Sequence, residues 1–116
     1  MTRSRLVFSL VVLAAVFVLP AHAALPKLIG VVGPGFDISL KKAGQPVKTL
    51  KPGRYTLALT DRSREHNFRL KGPGVNVATS IGGLQPKVVT VALKKGTYKF
   101  LCDPHELAMS GSFRVG

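Results

Sequence analysis

The chain has 116 residues, enough for one domain and too few for several. It contains 17 Lys and Arg against five Asp and Glu, a formal charge of +12, and its 46% hydrophobic content disfavours intrinsic disorder. A single cysteine excludes any disulfide within the chain.

The N-terminal residues have the pattern of an export signal rather than of a folded segment. Arg3 and Arg5 precede the apolar run LVFSLVVLAAVFVL, and Ala21-His22-Ala23 then fits the small-x-small cleavage pattern. The run is shorter than the roughly 20 residues of a membrane-spanning helix, which disfavours the alternative of an uncleaved anchor. We therefore predict a cleavable signal peptide at residues 1–23 and a periplasmic or secreted protein.

Cleavage would leave a domain of residues 24–116, whose formal charge falls from +12 to +10 with the loss of two arginines. A secreted domain of this size often relies on disulfides, and none can form here. Another role must explain a lone thiol in an oxidising compartment. The soft or metal-binding side chains that remain are Cys102, His66, His105 and Met109.

Residues 24–116 alternate apolar and polar side chains between turn signals, the pattern of an all-β domain. In chain order the predicted strands are KLIGVV (27–32), GFDISLK (35–41), RYTLALT (54–60), HNFRL (66–70), KVVTVAL (87–93), GTYKFLC (96–102) and GSFRV (111–115). In the second of these, Phe36, Ile38 and Leu40 would share one face. No stretch has a helical period of sufficient length, and this number of short strands predicts a β-sandwich or small barrel.

The same alternation places two candidate ligands inside the domain. Cys102 shares a strand face with Tyr98 and Phe100, because successive side chains point to opposite faces. His66 likewise shares a face with Phe68. We expect both side chains to point inward at the end of a strand.

The two other candidates follow the strand that ends at Cys102. Pro104 ends regular strand pairing, so a tight turn can fold His105 back towards the thiol. Met109 can reach the same point from the far side of the loop, before the last strand begins.

One thiolate, two imidazoles and a distant thioether form the ligand set of a blue-copper electron-transfer site. Thiolate and thioether favour Cu(I) and imidazole accommodates Cu(II), so one copper ion could serve both oxidation states. Two alternatives stay open: a metal-free sandwich used for binding, in which the cysteine is a small core residue, and another metal such as zinc.

Over roughly residues 27–116 the sequence resembles the cupredoxins of the plastocyanin type, the small blue (type 1) copper proteins. The resemblance implies a Greek-key sandwich of about seven to eight strands and a role in one-electron transfer. It also implies equatorial ligation by His66, Cys102 and His105, axial ligation by Met109, and a link between the two ligand loops through Asn67. The segments that carry the resemblance are His66-Asn67-Phe68, Cys102-Asp103-Pro104-His105, Tyr98-x-Phe100, Gly111 and Val115.

The axial position departs from the family pattern. Three residues separate His105 from Met109, a spacing shorter than in plastocyanins and longer than in amicyanins. Glu106 is near enough to be a rival oxygen ligand, and a water or carbonyl is a further alternative.

The expected function is therefore electron transfer without catalysis. Copper enzymes need a further histidine-rich centre, and both mature histidines are already used. The alternative is copper binding for delivery, storage or resistance. The basic surface predicts a soluble monomer steered towards acidic redox proteins or an anionic membrane. The export signal and the lack of an exposed aromatic platform disfavour nucleic acid.

Overall fold

The computed structural model describes residues 2, 4–16 and 24–116. Residues 4–16 contain no strand or helix, and their large apolar side chains are exposed. The cleavage pattern at Ala21-His22-Ala23 lies outside the described residues, so the signal peptide stays a prediction. Among the described residues, no helix is long and apolar enough to cross a membrane.

Two five-stranded sheets pack face to face and contain every strand of the described residues. The strands are β1 (Lys27–Val32), β2 (Ile38–Lys42), β3 (Gln45–Pro46), β4 (Thr49–Leu50), β5 (Gly53–Asp61), β6 (Arg69–Gly72), β7 (Val75–Ala78), β8 (Lys87–Leu93), β9 (Gly96–Leu101) and β10 (Ser110–Val115). Their order is β3-β2-β1-β5-β8 in the first sheet and β4-β10-β9-β6-β7 in the second. The prediction of an all-β sandwich is confirmed.

The strand count differs from the predicted seven to eight because three strands are short. β3 and β4 have two residues each, and β7 has four. Segments of this length are too short for alternation to stand out in the sequence. They become strands because longer neighbours offer them backbone partners: β7 pairs with β6, β3 with β2 and β4 with β10.

The core lies between the two sheets and is built by the predicted alternation. Along β5 the side chains of Tyr55, Leu57 and Leu59 are buried, and the residues between them are more exposed. In the second sheet the rings of Tyr98 and Phe113 stack with centroids 5.3 Å apart. Apolar burial of this kind stabilises a domain by roughly 25 cal/mol per Å² of surface removed from water.

Two predicted strands begin later than expected. β2 begins at Ile38, and Phe36 lies before it and is 64% exposed, so the prediction that Phe36 shares a strand face with Ile38 and Leu40 is wrong. The physical reason is a turn, in which the Gly33 N–H donates to the Asp37 carbonyl at 2.8 Å and leaves Phe36 in a loop. β6 begins at Arg69, so the segment 66–68 approaches the strand without belonging to it.

Candidate metal centre

Two loops meet at one end of the sandwich and bring the candidate ligands together. His66 lies in the loop between β5 and β6, and Cys102 follows β9 directly. His105 ends a short 3-10 helix, Asp103–His105, in the loop that joins β9 to β10. Because β6 and β9 are hydrogen-bonded neighbours, their loops emerge side by side.

Backbone hydrogen bonds fix the loop that joins β9 to β10. The Cys102 N–H donates to the Met109 carbonyl at 3.0 Å, and the His105 N–H donates to the Cys102 carbonyl at 3.1 Å. The Met109 N–H donates to the His105 carbonyl at 2.8 Å. The expected return of His105 towards Cys102 is therefore observed, and three candidate ligands share one hydrogen-bonded loop.

The donor atoms of His66, Cys102 and His105 form a small triangle. The Cys102 Sγ lies 3.7 Å from the His66 Nδ1 and 3.6 Å from the His105 Nδ1, and the two nitrogens are 3.1 Å apart. A point equidistant from these three atoms is about 2.0 Å from each, close to the 2.0–2.3 Å of metal–nitrogen and metal–sulfur bonds. The triangle therefore fits one metal ion.

The cluster is shielded unevenly from solvent. Cys102 is 0% exposed and His66 1% exposed, whereas His105 is half-buried. Solvent therefore reaches the cluster mainly from the side of His105, as expected for a residue in the loop after β9.

Solved structures of rusticyanin have a similar fold. Two rusticyanin structures, one of the reduced protein and one described as a copper protein, match with a TM-score of 0.57 at 20% and 17% sequence identity. Each match covers 78% of this chain, together with 78% of the first rusticyanin chain and 76% of the second. Rusticyanin from Thiobacillus ferrooxidans matches with a TM-score of 0.53 at 22% identity, over 78% of this chain and 76% of its own. The chain has the cupredoxin fold.

Comparisons by sequence give no further relatives. A scan against protein-family models finds no match, and a search of curated proteins finds none. The triangle formed by His66, Cys102 and His105 lies at one end of the cupredoxin fold. A set of one thiolate and two imidazoles suits copper.

Met109 and Glu106, the two candidates for the axial position, lie in different environments. Met109 is 1% exposed and packs in the core cluster that also contains Cys102. The Glu106 carboxylate instead pairs with the Lys99 Nζ at 2.8 Å, with both side chains more than 40% exposed. The hydrogen bond from Lys99 lowers the pKa of Glu106 and holds its charge at the surface.

Asn67 links the two ligand loops, as the resemblance implies. Its Nδ2 donates to the Asp103 Oδ2 at 2.7 Å and to the Thr79 carbonyl at 3.3 Å. Its Oδ1 accepts the Asp103 N–H at 2.7 Å. These bonds allow Asn67 to be 1% exposed between two buried neighbours, although alternation along a strand would have turned it outward.

An ion pair that no pattern in the sequence indicates holds the same loops from outside. Arg69 donates through Nε to the Asp103 Oδ1 and through Nη2 to the Asp103 Oδ2, each at 2.8 Å. Hydrogen bonds from Arg69 and then Asn67 hold the pKa of Asp103 below its ordinary 3.8. Arg69 also donates to the Asn76 Oδ1 at 2.6 Å, so the bond network extends from β7 to the residue next to the cysteine.

Phe36 is a second residue at the site that sequence reasoning missed. Its ring packs edge-on against His105 and His66, with centroid separations of 4.9 and 5.6 Å. The run Gly33-Pro34-Gly35 before it is the signal that could have indicated a loop. The ring covers part of the approach to both imidazoles.

Asp61 is a buried carboxylate at the end of β5. Its Oδ1 accepts the Ser63 N–H at 3.0 Å, and its Oδ2 has no hydrogen-bond partner among the described residues. Burial raises the pKa of Asp61 above 3.8, and the Ser63 N–H and the charge of His66 oppose that rise.

Proposed function

We propose that this protein is an exported type 1 (blue) copper protein that carries single electrons between redox partners. The observation that carries the proposal is the triangle of His66 Nδ1, Cys102 Sγ and His105 Nδ1, which fits one ion. Its position at one end of a cupredoxin fold supports the same assignment.

In this proposal His66, Cys102 and His105 are the equatorial ligands, and Met109 is the weak axial ligand. Copper, when bound, supplies the Cu(I)/Cu(II) couple that accepts and releases one electron. The ion pair between Glu106 and Lys99 supports Met109 over Glu106, because the carboxylate is already neutralised away from the core.

The protein's own contribution is to hold the donor atoms still. Asn67 and Arg69 join the loop before β6 to Asp103, and backbone bonds join Cys102 to Met109. Ligands fixed by such surrounding contacts change position little when the charge of the ion changes. Small rearrangement favours rapid electron transfer.

The route for electrons is proposed to pass through His105. It is the more accessible of the two histidines, and its ring is covered only in part by Phe36. We infer that a redox partner docks over this end of the sandwich. The proposal places the mature protein, residues 24–116, in the periplasm or outside the cell as a monomeric carrier that is not an enzyme.

Visible absorption after addition of Cu(II) tests the proposal. The metal-free protein should bind one copper and develop an intense colour, because the Cys102 thiolate donates charge to Cu(II). Cys102→Ser should lose the colour and keep the fold, since the two side chains are nearly equal in size. Met109→Leu is the matched control and should stay coloured.

The result that contradicts electron transfer is a colourless Cu(II) complex of the wild type. Stoichiometric copper binding without colour would favour a role in copper delivery, storage or resistance. Preference for Zn²⁺ over both oxidation states of copper would favour a zinc site.

A further inference from the structure

The charged side chains of the sandwich are strongly segregated along its length. All five Asp and Glu residues lie at the end that holds the metal cluster: Asp37, Asp61, Glu65, Asp103 and Glu106. Five basic residues share that end with them: Arg62, Arg64, Arg69, Lys87 and Lys99, whose Nζ lies 2.8 Å from the Glu106 Oε1. The formal charges at the metal end therefore cancel.

The opposite end carries basic charge without any acidic residue. β5 runs from this end at Gly53 to the metal end at Asp61. The strand register places the end of β8 beside Gly53, the start of β1 beside Thr56 and the end of β2 beside the first residues of β1, and residues 94–95 join β8 to the start of β9. We call this surface the basic pole, and all its members are exposed. They are Lys27, Lys41, Lys42, Lys48, Lys51, Arg54, Lys94 and Lys95.

We propose that the basic pole binds the surface of a bilayer rich in anionic phospholipid. Seven of its eight charges are lysines, compact charges on flexible stems that suit a diffuse layer of phosphate headgroups. Clusters of four to eight basic residues next to a membrane are typical of binding to anionic lipid. This proposal concerns a surface remote from the metal cluster and does not rest on copper binding.

Two features favour a lipid surface over an acidic protein. A stable protein interface has an apolar, aromatic-rich centre, and the exposed Phe of the sandwich, Phe36, lies at the metal end instead. The chain also enters the sandwich at the basic pole, since β1 begins there at Lys27. Before its predicted cleavage, the apolar signal segment joins the sandwich on this side, so this pole is the part of the domain nearest the membrane at that stage.

Bound in this way, the protein would present its metal end to the aqueous side. The nine residues of β5 span about 26 Å, so a redox protein docked on the basic pole would be about that far from the cluster. Electron tunnelling falls steeply with distance. The basic pole is therefore suited to attachment, and the metal end stays free for a partner.

Vesicle binding by residues 24–116 tests the proposal. This segment contains every strand and every core residue of the part of the chain that the structure describes, and the large apolar side chains described before it are exposed, so we treat it as one folding unit. It should bind vesicles of phosphatidylglycerol mixed with phosphatidylcholine, and not phosphatidylcholine alone. Raising the salt concentration should weaken the binding, because the Debye length shortens to about 8 Å at physiological ionic strength.

Two matched triple variants test whether the position of the basic residues, and not only the total charge, determines vesicle binding. Lys51→Gln/Lys94→Gln/Lys95→Gln should weaken binding about 100-fold at low salt, since each lysine near the surface contributes about fivefold. The control is Arg62→Gln/Arg64→Gln/Lys87→Gln, which removes the same amount of charge from the metal end. It should weaken binding less than about tenfold, because the charges that it removes face away from the bilayer.

Hydrogen exchange of the vesicle-bound protein reports which end of the sandwich faces the bilayer. The turns at 43–44, 51–53 and 94–96 should become protected, and residues 103–109 should exchange as in solution. Equal weakening by the two triple variants, or protection of 103–109, would overturn the proposal. So would binding to soluble polyglutamate without binding to anionic vesicles, which would indicate an acidic protein as the partner.

Discussion

The bonds of Asn67 make a quantitative prediction about the stability of the ligand loops. Asn67→Ala removes two hydrogen bonds to Asp103 and one to the Thr79 carbonyl. A hydrogen bond contributes about 1 kcal/mol net, and one to a charged group about 1.5–3 kcal/mol. The Asp103 N–H also loses its acceptor. We expect the free energy of unfolding of the metal-free protein to fall by about 3 kcal/mol.

A loss of this size is large for a domain of this length. Because 1 kcal/mol shifts the midpoint of thermal unfolding by about 4–8 °C, Asn67→Ala should lower the midpoint by at least about 12 °C. Urea denaturation of the metal-free protein, followed by circular dichroism, measures the free energy directly. Working without metal keeps changes in copper affinity out of the comparison.

The matched control is Asn76→Ala. Asn76 is exposed and accepts one hydrogen bond from Arg69, so the substitution should cost less than about 1 kcal/mol. If Asn67→Ala costs no more than Asn76→Ala, the link between the two ligand loops contributes nothing to folding, and the reasoning is refuted.

Three further predictions concern single side chains at the metal end. Burial raises the pKa of Asp61, so the folded protein holds that proton more tightly and loses stability as the pH rises above 3.8. Denaturation measured from about pH 4 to about pH 7 should show that Asp61→Asn becomes more stable relative to the wild type as the pH rises. A difference in unfolding free energy that stays constant with pH would contradict this. Both His66→Gly and His105→Gly should disturb the copper spectrum. Added imidazole should restore the spectrum readily only for His105→Gly, because His66 is 1% exposed. Equal rescue of the two variants would show that solvent reaches both positions. By voltammetry, Met109→Leu should raise the reduction potential and Glu106→Gln should change it slightly, and the reverse ranking would assign the axial position to Glu106.

The fold and the cluster were predictable where the signal is local. Alternation along GTYKFLC placed Tyr98, Phe100 and Cys102 inside, and all three are buried. The turn after the cysteine was indicated by Pro104, and the structure returns His105 to within 3.6 Å of the thiol. The pattern KVVTVAL predicts β8 with its observed limits, Lys87–Leu93.

The remaining contacts of the site could not be predicted, because they depend on which strands pair in the sheet. Arg69 and Asp103 are 34 residues apart, and they meet because Arg69 pairs with Leu101 across β6 and β9. A single sequence does not fix that register. Asn67 was expected at the site from resemblance alone, because alternation would have turned its side chain to the surface. Phe36 was misplaced because an apolar residue in a loop looks the same as the first residue of a strand.

The pairing of β6 with β9 also sets an order of events after export. His66 and Cys102 are separated by 36 residues, and their side chains meet only when these two strands are aligned. Contacts between distant parts of a chain form late and slowly in β proteins. Until then the lone thiol is open to oxidants, and oxidation beyond the sulfenic acid is irreversible for most proteins. Once folded, Cys102 is 0% exposed, so the closing of these two strands ends the period in which the thiol is vulnerable.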